Sequence, residues 1–138
     1  MNMSPRLHFD HEFNYRELEQ DSFFPALDVT LIGPQGEDEL IAIVDTGAMY
    51  CLFSGVRAPA IGIELISGRR VTLSGLAGQM IAWIHSVELE ILGTRFQCEV
   101  AFSEQPIPRE VLGRHTVFNQ VRLGFRERFS VGFFHPAA

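Results

Sequence analysis

The sequence predicts an all-β protein, and three observations support this fold class. Apolar residues alternate with polar ones in several short stretches, as at Leu27, Val29 and Leu31, which is the period of a half-buried strand. Turn-forming residues separate these stretches at regular intervals, and stretches with a helical period are scarce. We therefore predict a closed β-barrel or β-sandwich with one or two short helices, built as a single domain over residues 1–138.

The first predicted strands can be placed in chain order. Residues 7–15 carry apolar side chains at every second position except His11, so about the first 20 residues are predicted to form an N-terminal strand or arm. A hairpin is predicted over residues 26–44, with "GPQGEDE" as its turn region. Residues 51–61 are interrupted by Pro59 and are predicted to hold one short helical turn.

Two more hairpins are predicted in the second half of the chain. Strands lie on either side of residues 74–79, whose two glycines suit a flexible hairpin tip. The stretch "SVELEILGTRFQCEVAF" turns back at Gly93 and Thr94. After the loop "EQPIPRE", "VLGRHTVFNQ" is predicted to be a strand end followed by a short helix, and "VRLGF" and "FSVGFF" the last strands.

Composition argues against several classes of partner. The net charge is -6 and the eleven basic residues are all arginines, scattered along the chain, so we expect no nucleic-acid partner. No apolar run approaches the roughly 20 residues of a membrane helix, and the N-terminus lacks the apolar centre of a secretory signal. We therefore expect a cytoplasmic protein with no membrane partner.

No metal or cofactor is predicted. His8 and His11 are the nearest pair of histidines, but residues three apart on a strand point in opposite directions and cannot share an ion. Cys51 and Cys98 form no CxxC pair and are expected to be reduced, buried thiols. The remaining histidines are predicted to stand alone: His85, His115 and His135.

Serine-hydrolase and nucleotide motifs are absent from the sequence. The nearest candidate for a nucleophile elbow, "TLSGL", has Thr72 where the first glycine should stand. The glycine-rich "GLAGQM" lacks the third glycine of a dinucleotide fingerprint and the Lys-Ser/Thr pair of a phosphate loop. Neither chemistry is therefore predicted.

The stretch that indicates chemistry is "LIAIVDTGAMYCLF". Asp45 follows a buried strand directly and is followed by further apolar residues, so its carboxylate is expected at the edge of the core. The simplest alternative is a strand-ending turn, in which Asp45 accepts backbone N–H bonds and Gly47 supplies a positive φ. That alternative predicts a polar, surface setting.

A single Asp-Thr-Gly is half of a catalytic site. Two carboxylates about 3 Å apart cannot both ionise, so one stays protonated and the other can act as a base toward water. The sequence holds no second Asp-Thr-Gly or Asp-Ser-Gly. The partner of Asp45 must then come from a second copy of the chain across a twofold axis.

Three motifs, in the same order, resemble the retropepsin-like aspartic proteases, the single-lobe dimeric relatives of pepsin. These are the apolar strand leading into "DTGA", the glycine-rich "LSGLAGQ" as a candidate flap hairpin, and "VLGRHTVF", an apolar-apolar-Gly-Arg segment that opens a short helix. The resemblance covers about residues 24–134. It implies an acid-protease fold, homodimerisation and hydrolysis of peptide or protein substrates.

The resemblance also implies a role for each matching residue. Asp45 would be the catalytic aspartate, and Thr46, Gly47 and Ala48 would complete the active-site loop. The flap that closes over the substrate would be formed by Ser74, Gly75, Leu76, Ala77 and Gly78. The active-site loop would be supported from below by Val111, Leu112, Gly113 and Arg114.

The chain departs from the retroviral pattern near the predicted interface. Retroviral members pair the arginine of the Gly-Arg motif with an aspartate close to the alanine position, where this chain has Met49 and Tyr50. Arg114 is therefore expected to lack that partner. The terminal segments 7–15 and 129–134 are expected to be free to build the dimer by strand pairing.

Two alternatives to a protease remain. The same fold could serve as a catalytically inactive peptide-binding or dimerisation module, in which the two Asp45 carboxylates do not reach one water. An actin-like phosphate loop also uses Asp-x-Gly turns, but such folds need more than twice this length.

Overall fold

The computed structural model describes residues 8–75 and 78–136, and these residues are mostly β-strand, so the all-β prediction is confirmed. The strands are β1 His11–Asn14, β2 Arg16–Glu19, β3 Ser22–Phe24, β4 Ala26–Gly33, β5 Gly36–Val44, β6 Leu52–Ser54, β7 Arg69–Gly75, β8 Gly78–Ile91, β9 Thr94–Ser103, β10 Val111–Leu112, β11 Arg122–Arg126 and β12 Val131–His135. Helix in these described ranges is limited to α1 Arg57–Ala60 and the 3-10 turns Leu65–Ser67, Phe118–Gln120 and Glu127–Phe129.

Seven strands form the main sheet, in the order β4-β5-β10-β6-β9-β8-β7. Because β4 also pairs with β8, six of them close into a ring and β7 extends from it. Alternate side chains of each strand point into the ring. The core inside it includes Leu31 from β4, Leu89 from β8, and Phe53 and Phe102, all with no exposed surface.

The predicted hairpins are present. β4 and β5 are antiparallel and turn between Gly33 and Gly36, as predicted for residues 26–44. β8 runs without a break from the tip of one predicted hairpin into the next. That second hairpin turns at Leu92 and Gly93, one residue earlier than predicted, since Thr94 already pairs with Ile91. Gly93 has φ +81°, a conformation that glycine adopts without steric cost. The predicted helical turn in residues 51–61 corresponds to α1.

Strands β1, β11 and β12 form a separate small sheet, the terminal sheet, and here one expectation was wrong. The order is β1-β12-β11, so β12 is the central strand and both of its edges are already paired within the chain. Phe134 of β12 is fully buried and its ring lies 6.2 Å from that of Phe96. The segment 129–134 is therefore not free to pair with a second copy.

The N-terminal segment differs from the prediction of one strand or arm. Among the described residues 8–15, residues 11–14 form β1, which pairs with β12 in an antiparallel register. The hairpin of β2 and β3 that follows it was not predicted. His135, predicted to stand alone, instead lies beside Asp10 and His8.

Both cysteines are buried and free, as predicted. Burial raises the pKa of the Cys51 thiol to about 11 and that of Cys98 to about 12, so both stay protonated at neutral pH. Within residues 8–75 and 78–136, no helix has the length and apolar character needed to cross a membrane.

Candidate active site

Asp45 stands at the point where β5 ends and is held there by β10. Val111 and Leu112 of β10 lie parallel to Ile43 and Val44 at the end of β5. The Asp45 N–H then donates to the Leu112 carbonyl at 3.1 Å. The start of the aspartate loop is thus fixed by a strand from a distant part of the chain.

The loop that follows is a compact turn with its tip in solvent. The Gly47 N–H donates to Asp45 Oδ1 at 2.9 Å, and the Ala48 N–H donates to the Asp45 carbonyl at 3.1 Å. Asp45 is half-buried, whereas Thr46 and Gly47 are exposed. The alternative of a simple strand-ending turn predicted a positive φ at Gly47. Gly47 does not have a positive φ, so this part of the alternative is wrong.

Gly47 leaves the approach to the carboxylate open. A Cβ at this position would lie 3.3 Å from Asp45 Oδ1. No ion pair among the described residues involves Asp45. Within the described part of the chain, the carboxylate therefore has one backbone hydrogen bond on Oδ1 and no cationic partner.

Residues 113–115 close the back of the loop through backbone hydrogen bonds. The Arg114 N–H donates to the Ala48 carbonyl at 2.9 Å, and the His115 N–H donates to the Met49 carbonyl at 2.7 Å. Gly113 packs against the backbone of Tyr50, where a side chain would find no space. The described ion pairs include none with Arg114, whose side chain is exposed, so Arg114 supports the loop through its main chain.

A hairpin formed by β7 and β8 faces the loop. Ser74 pairs with Gln79 and Gly75 with Gly78 at its tip; Leu76 and Ala77 of the predicted flap lie outside the described residues. A small apolar cluster joins this hairpin to the loop. Its members are Ala82, Ile84 and Ala101, with Val71, Leu73, Tyr50 and Leu52 packed against them.

Between the hairpin and the aspartate loop lies an open cleft of about 660 Å³. Its lining residues come from both walls: Gly47, Ala48, Met49, Tyr50, Leu52, Thr72, Leu73, Ser74, Gly75, Gly78, Met80 and Val111. Six of the site residues predicted from the sequence are among them: Gly47, Ala48, Ser74, Gly75, Gly78 and Val111. The apolar residues Met49, Tyr50, Leu52 and Met80 were not predicted, because the cleft depends on how strands far apart in sequence pack.

A partly buried cluster of charged side chains, Arg57 with Glu110 and Asp38, holds β10 in register. No sequence pattern predicted this cluster. Arg57 donates from Nε and Nη2 to the two carboxylate oxygens of Glu110, both at 2.6 Å, and from Nη1 to Asp38 at 2.9 Å. Glu110 immediately precedes β10, and its carboxylate also accepts the Ser54 N–H at 3.0 Å. The paired carboxylates raise the pKa of Arg57, with Glu110 the main cause. The cluster ties α1, β5 and β6 to the strand that supports Asp45.

No protein-family model matches this chain, and no curated protein matches it at a significant level. The fold and site by themselves define a mostly β protein with a half-buried aspartate at the end of a strand. Beside that aspartate, a hairpin and a loop enclose an apolar cleft.

Proposed function

We propose that the protein is a retropepsin-like aspartic endopeptidase that acts as a homodimer, with one Asp45 from each chain. The observation that carries the proposal is the position of Asp45. It directly follows β5 and is backed by β10 through the Leu112 carbonyl, and the next residues of its loop, Gly47 and Ala48, line a cleft whose other wall is a hairpin. The resemblance implies three parts in chain order: the strand that leads into the aspartate, the hairpin that covers the site and the strand that supports the loop. Here these parts are β5, the hairpin of β7 and β8, and β10.

The second carboxylate comes from a second copy of the chain. Among the described residues, the Asp45 side chain makes its one hydrogen bond with its own turn, and no other acidic side chain contacts it. Thr46 is exposed beside it and makes no described side-chain hydrogen bond. A twofold axis past this loop would bring both carboxylates and both threonines together.

The proposed reaction needs two carboxylates and a water. At a separation of about 3 Å the pair holds one proton, since two negative charges that close repel strongly. The ionised carboxylate takes a proton from water, which attacks the peptide carbonyl, while the protonated carboxyl donates to the carbonyl oxygen. The tetrahedral intermediate then loses the amine, which leaves with a proton from the dyad.

The cleft favours an extended peptide with apolar side chains near the cleaved bond. Met49, Leu52, Leu73 and Met80 provide an apolar lining. An extended segment between the hairpin and the loop could bury its side chains there while the hairpin excludes water. The substrate is therefore proposed to be an unfolded or flexible segment of a protein.

Contact between the two copies is proposed around the aspartate loop. Because β12 is internal to the terminal sheet, its edges cannot pair with another chain. Within residues 8–75 and 78–136, no strand pairs with the outer edge of β1 or of β11, and Met49, next to the active-site loop, is 57% exposed. A dimer through the loop would cover Met49.

One observation favours the second candidate, an inactive peptide-binding module. Asp45 Oδ1 already accepts the Gly47 N–H, a contact that a purely structural turn also makes. Ala48 supplies no hydroxyl donor to the carboxylate. In this alternative the cleft binds a peptide but the two carboxylates do not share a water.

Cleavage of an unfolded protein at decreasing chain concentration tests the proposal. We expect fragments to appear at acidic to neutral pH, from about pH 3 to 7, and the activity per chain to fall on dilution as the dimer dissociates. The measurement is fragment release with sedimentation at the same concentrations. Peptide binding without cleavage throughout this pH range would favour the inactive module, and activity independent of dilution would contradict a site shared between chains.

A further inference from the structure

Three side chains capable of binding a metal meet at the terminal sheet, whereas the proposed active site is built on the main sheet. His8 and Asp10 precede β1, and His135 ends β12. The antiparallel register pairs His11 with Phe134, which brings Asp10 next to His135. The three come from opposite ends of the chain.

The distances between these side chains are short. His8 Nε2 lies 2.9 Å from Asp10 Oδ1, and His135 Nδ1 lies 2.9 Å from Asp10 Oδ2. The two imidazole rings are 5.6 Å apart in an edge-to-face arrangement. His8 is also held by its main chain, since Arg122 Nη2 donates to the His8 carbonyl at 2.8 Å.

We propose that His8, Asp10 and His135 form a binding site for a divalent transition-metal ion of the zinc class. One candidate ligand atom from each residue lies within 4.8 Å of the other two. Ligand atoms of a tetrahedral zinc ion, with bonds of about 2.0–2.1 Å, are about 3.4 Å apart. The Asp10 carboxylate lies 2.9 Å from a nitrogen of each histidine, so small outward shifts of the exposed His8 and Asp10 side chains would bring the set to that spacing.

A second observation at His135 points to a ligand. Its Nδ1 atom is buried and makes no hydrogen bond of acceptable geometry, although Asp10 Oδ2 is close. A ring nitrogen removed from water without a well-directed partner costs free energy. A metal ion between His135 and Asp10 would use the nitrogen lone pair and remove that cost.

The donor set selects the class of metal. Two imidazole nitrogens and one carboxylate oxygen suit Zn²⁺, Co²⁺ or Ni²⁺, whereas Ca²⁺ and Mg²⁺ prefer oxygen ligands throughout. The exposed side of the cluster leaves room for water as a fourth ligand. The nearby guanidinium of Arg122 opposes a cation and keeps the affinity below that of sites with more carboxylates.

A bound ion would fasten residue 8 to residue 135 and so clamp the N-terminal segment onto the C-terminal strand. Closing a loop of nearly the whole chain stabilises the folded state, because the unfolded chain has no preformed site. This role is independent of Asp45 and of the proposed protease activity.

Metal titration of the chain, prepared without added histidine tags, tests the proposal. We expect one Co²⁺ per chain with the visible absorption of a four-coordinate site, and a melting temperature that rises with added Zn²⁺. His8→Gln and Asp10→Asn should each weaken binding at least about tenfold. His11→Gln is the matched control, because His11 is adjacent in sequence but outside the cluster, and should bind as the wild type does.

The His8 side chain is 76% exposed, so His8→Gln should leave the fold intact. A loss of metal binding in this variant therefore reports on the site itself. A wild-type dissociation constant weaker than about 1 mM would overturn the site and leave a hydrogen-bonded His-Asp-His cluster. Equal loss of binding in His11→Gln and His8→Gln would also overturn it, since the ion would then be bound elsewhere.

Discussion

Asp45→Asn is expected to abolish peptide cleavage, by a factor of about 10⁴ or more. An amide can neither take a proton from water nor share one with its twin across the twofold axis, so both roles of the dyad are lost together. The fold should persist, because the amide oxygen of asparagine can still accept the Gly47 N–H that Asp45 Oδ1 accepts at 2.9 Å. The measurement is the initial cleavage rate of an unfolded protein, with thermal unfolding of the same sample.

The stability measurement is what makes this prediction specific. Equal melting temperatures for wild type and Asp45→Asn, with cleavage lost in the variant alone, would place Asp45 in the chemistry. Cleavage that survives the substitution would exclude Asp45 as the catalytic group. Loss of peptide binding along with cleavage would instead indicate damage to the cleft.

Gly113→Ala should both destabilise the fold and disable the site. A Cβ at Gly113 would lie less than 3.0 Å from backbone atoms of Tyr50 and Cys51, and backbone cannot rotate away as a side chain can. We expect a loss of about 3 kcal/mol in the free energy of unfolding. Because the neighbouring Leu112 carbonyl holds Asp45, a shift of β10 by about 1 Å should also lower the cleavage rate about 100-fold.

The matched control is Gly75→Ala, judged by stability alone. A Cβ there would have no atom of the described residues within 4 Å, so the free energy of unfolding should change by less than about 0.5 kcal/mol. Denaturant unfolding of the two variants gives the comparison. If Gly113→Ala were as stable as Gly75→Ala, the close packing of residues 111–113 under the loop would not be what positions Asp45.

The local elements were predictable because their signals lie within a few residues. The hairpin over residues 26–44 shows strict alternation and a glycine-bearing turn, and both strands form where the pattern indicates. The place of Asp45 at the end of β5 follows from the same pattern. Such features depend on neighbours in sequence, which the sequence displays directly.

The features that were missed depend on pairing between distant segments. β1 pairs with β12 rather than with another chain, and nothing in the apolar pattern of residues 129–134 distinguishes these two partners. The hairpin of β2 and β3 is short and largely polar, so it lacks the alternation that marks a strand. The cluster of Arg57 with Glu110 likewise appears only once the fold brings α1 beside β10.

The cleft also combines features that local sequence motifs predict with features that depend on contacts between distant segments. Its loop and hairpin walls were predicted from motifs, whereas Met49, Tyr50, Leu52 and Met80 reach it only because of the strand order in the ring. A motif can indicate where chemistry resides. Which side chains surround it is decided by tertiary packing.

Mixing wild-type and Asp45→Asn chains tests most directly whether Asp45 meets its own copy. With equal amounts of both chains and free exchange of subunits, only half of the wild-type chains pair with another wild-type chain. A site shared across the twofold axis therefore predicts that activity per wild-type chain falls to about half. Activity per wild-type chain that stays unchanged by the added variant would contradict the shared site.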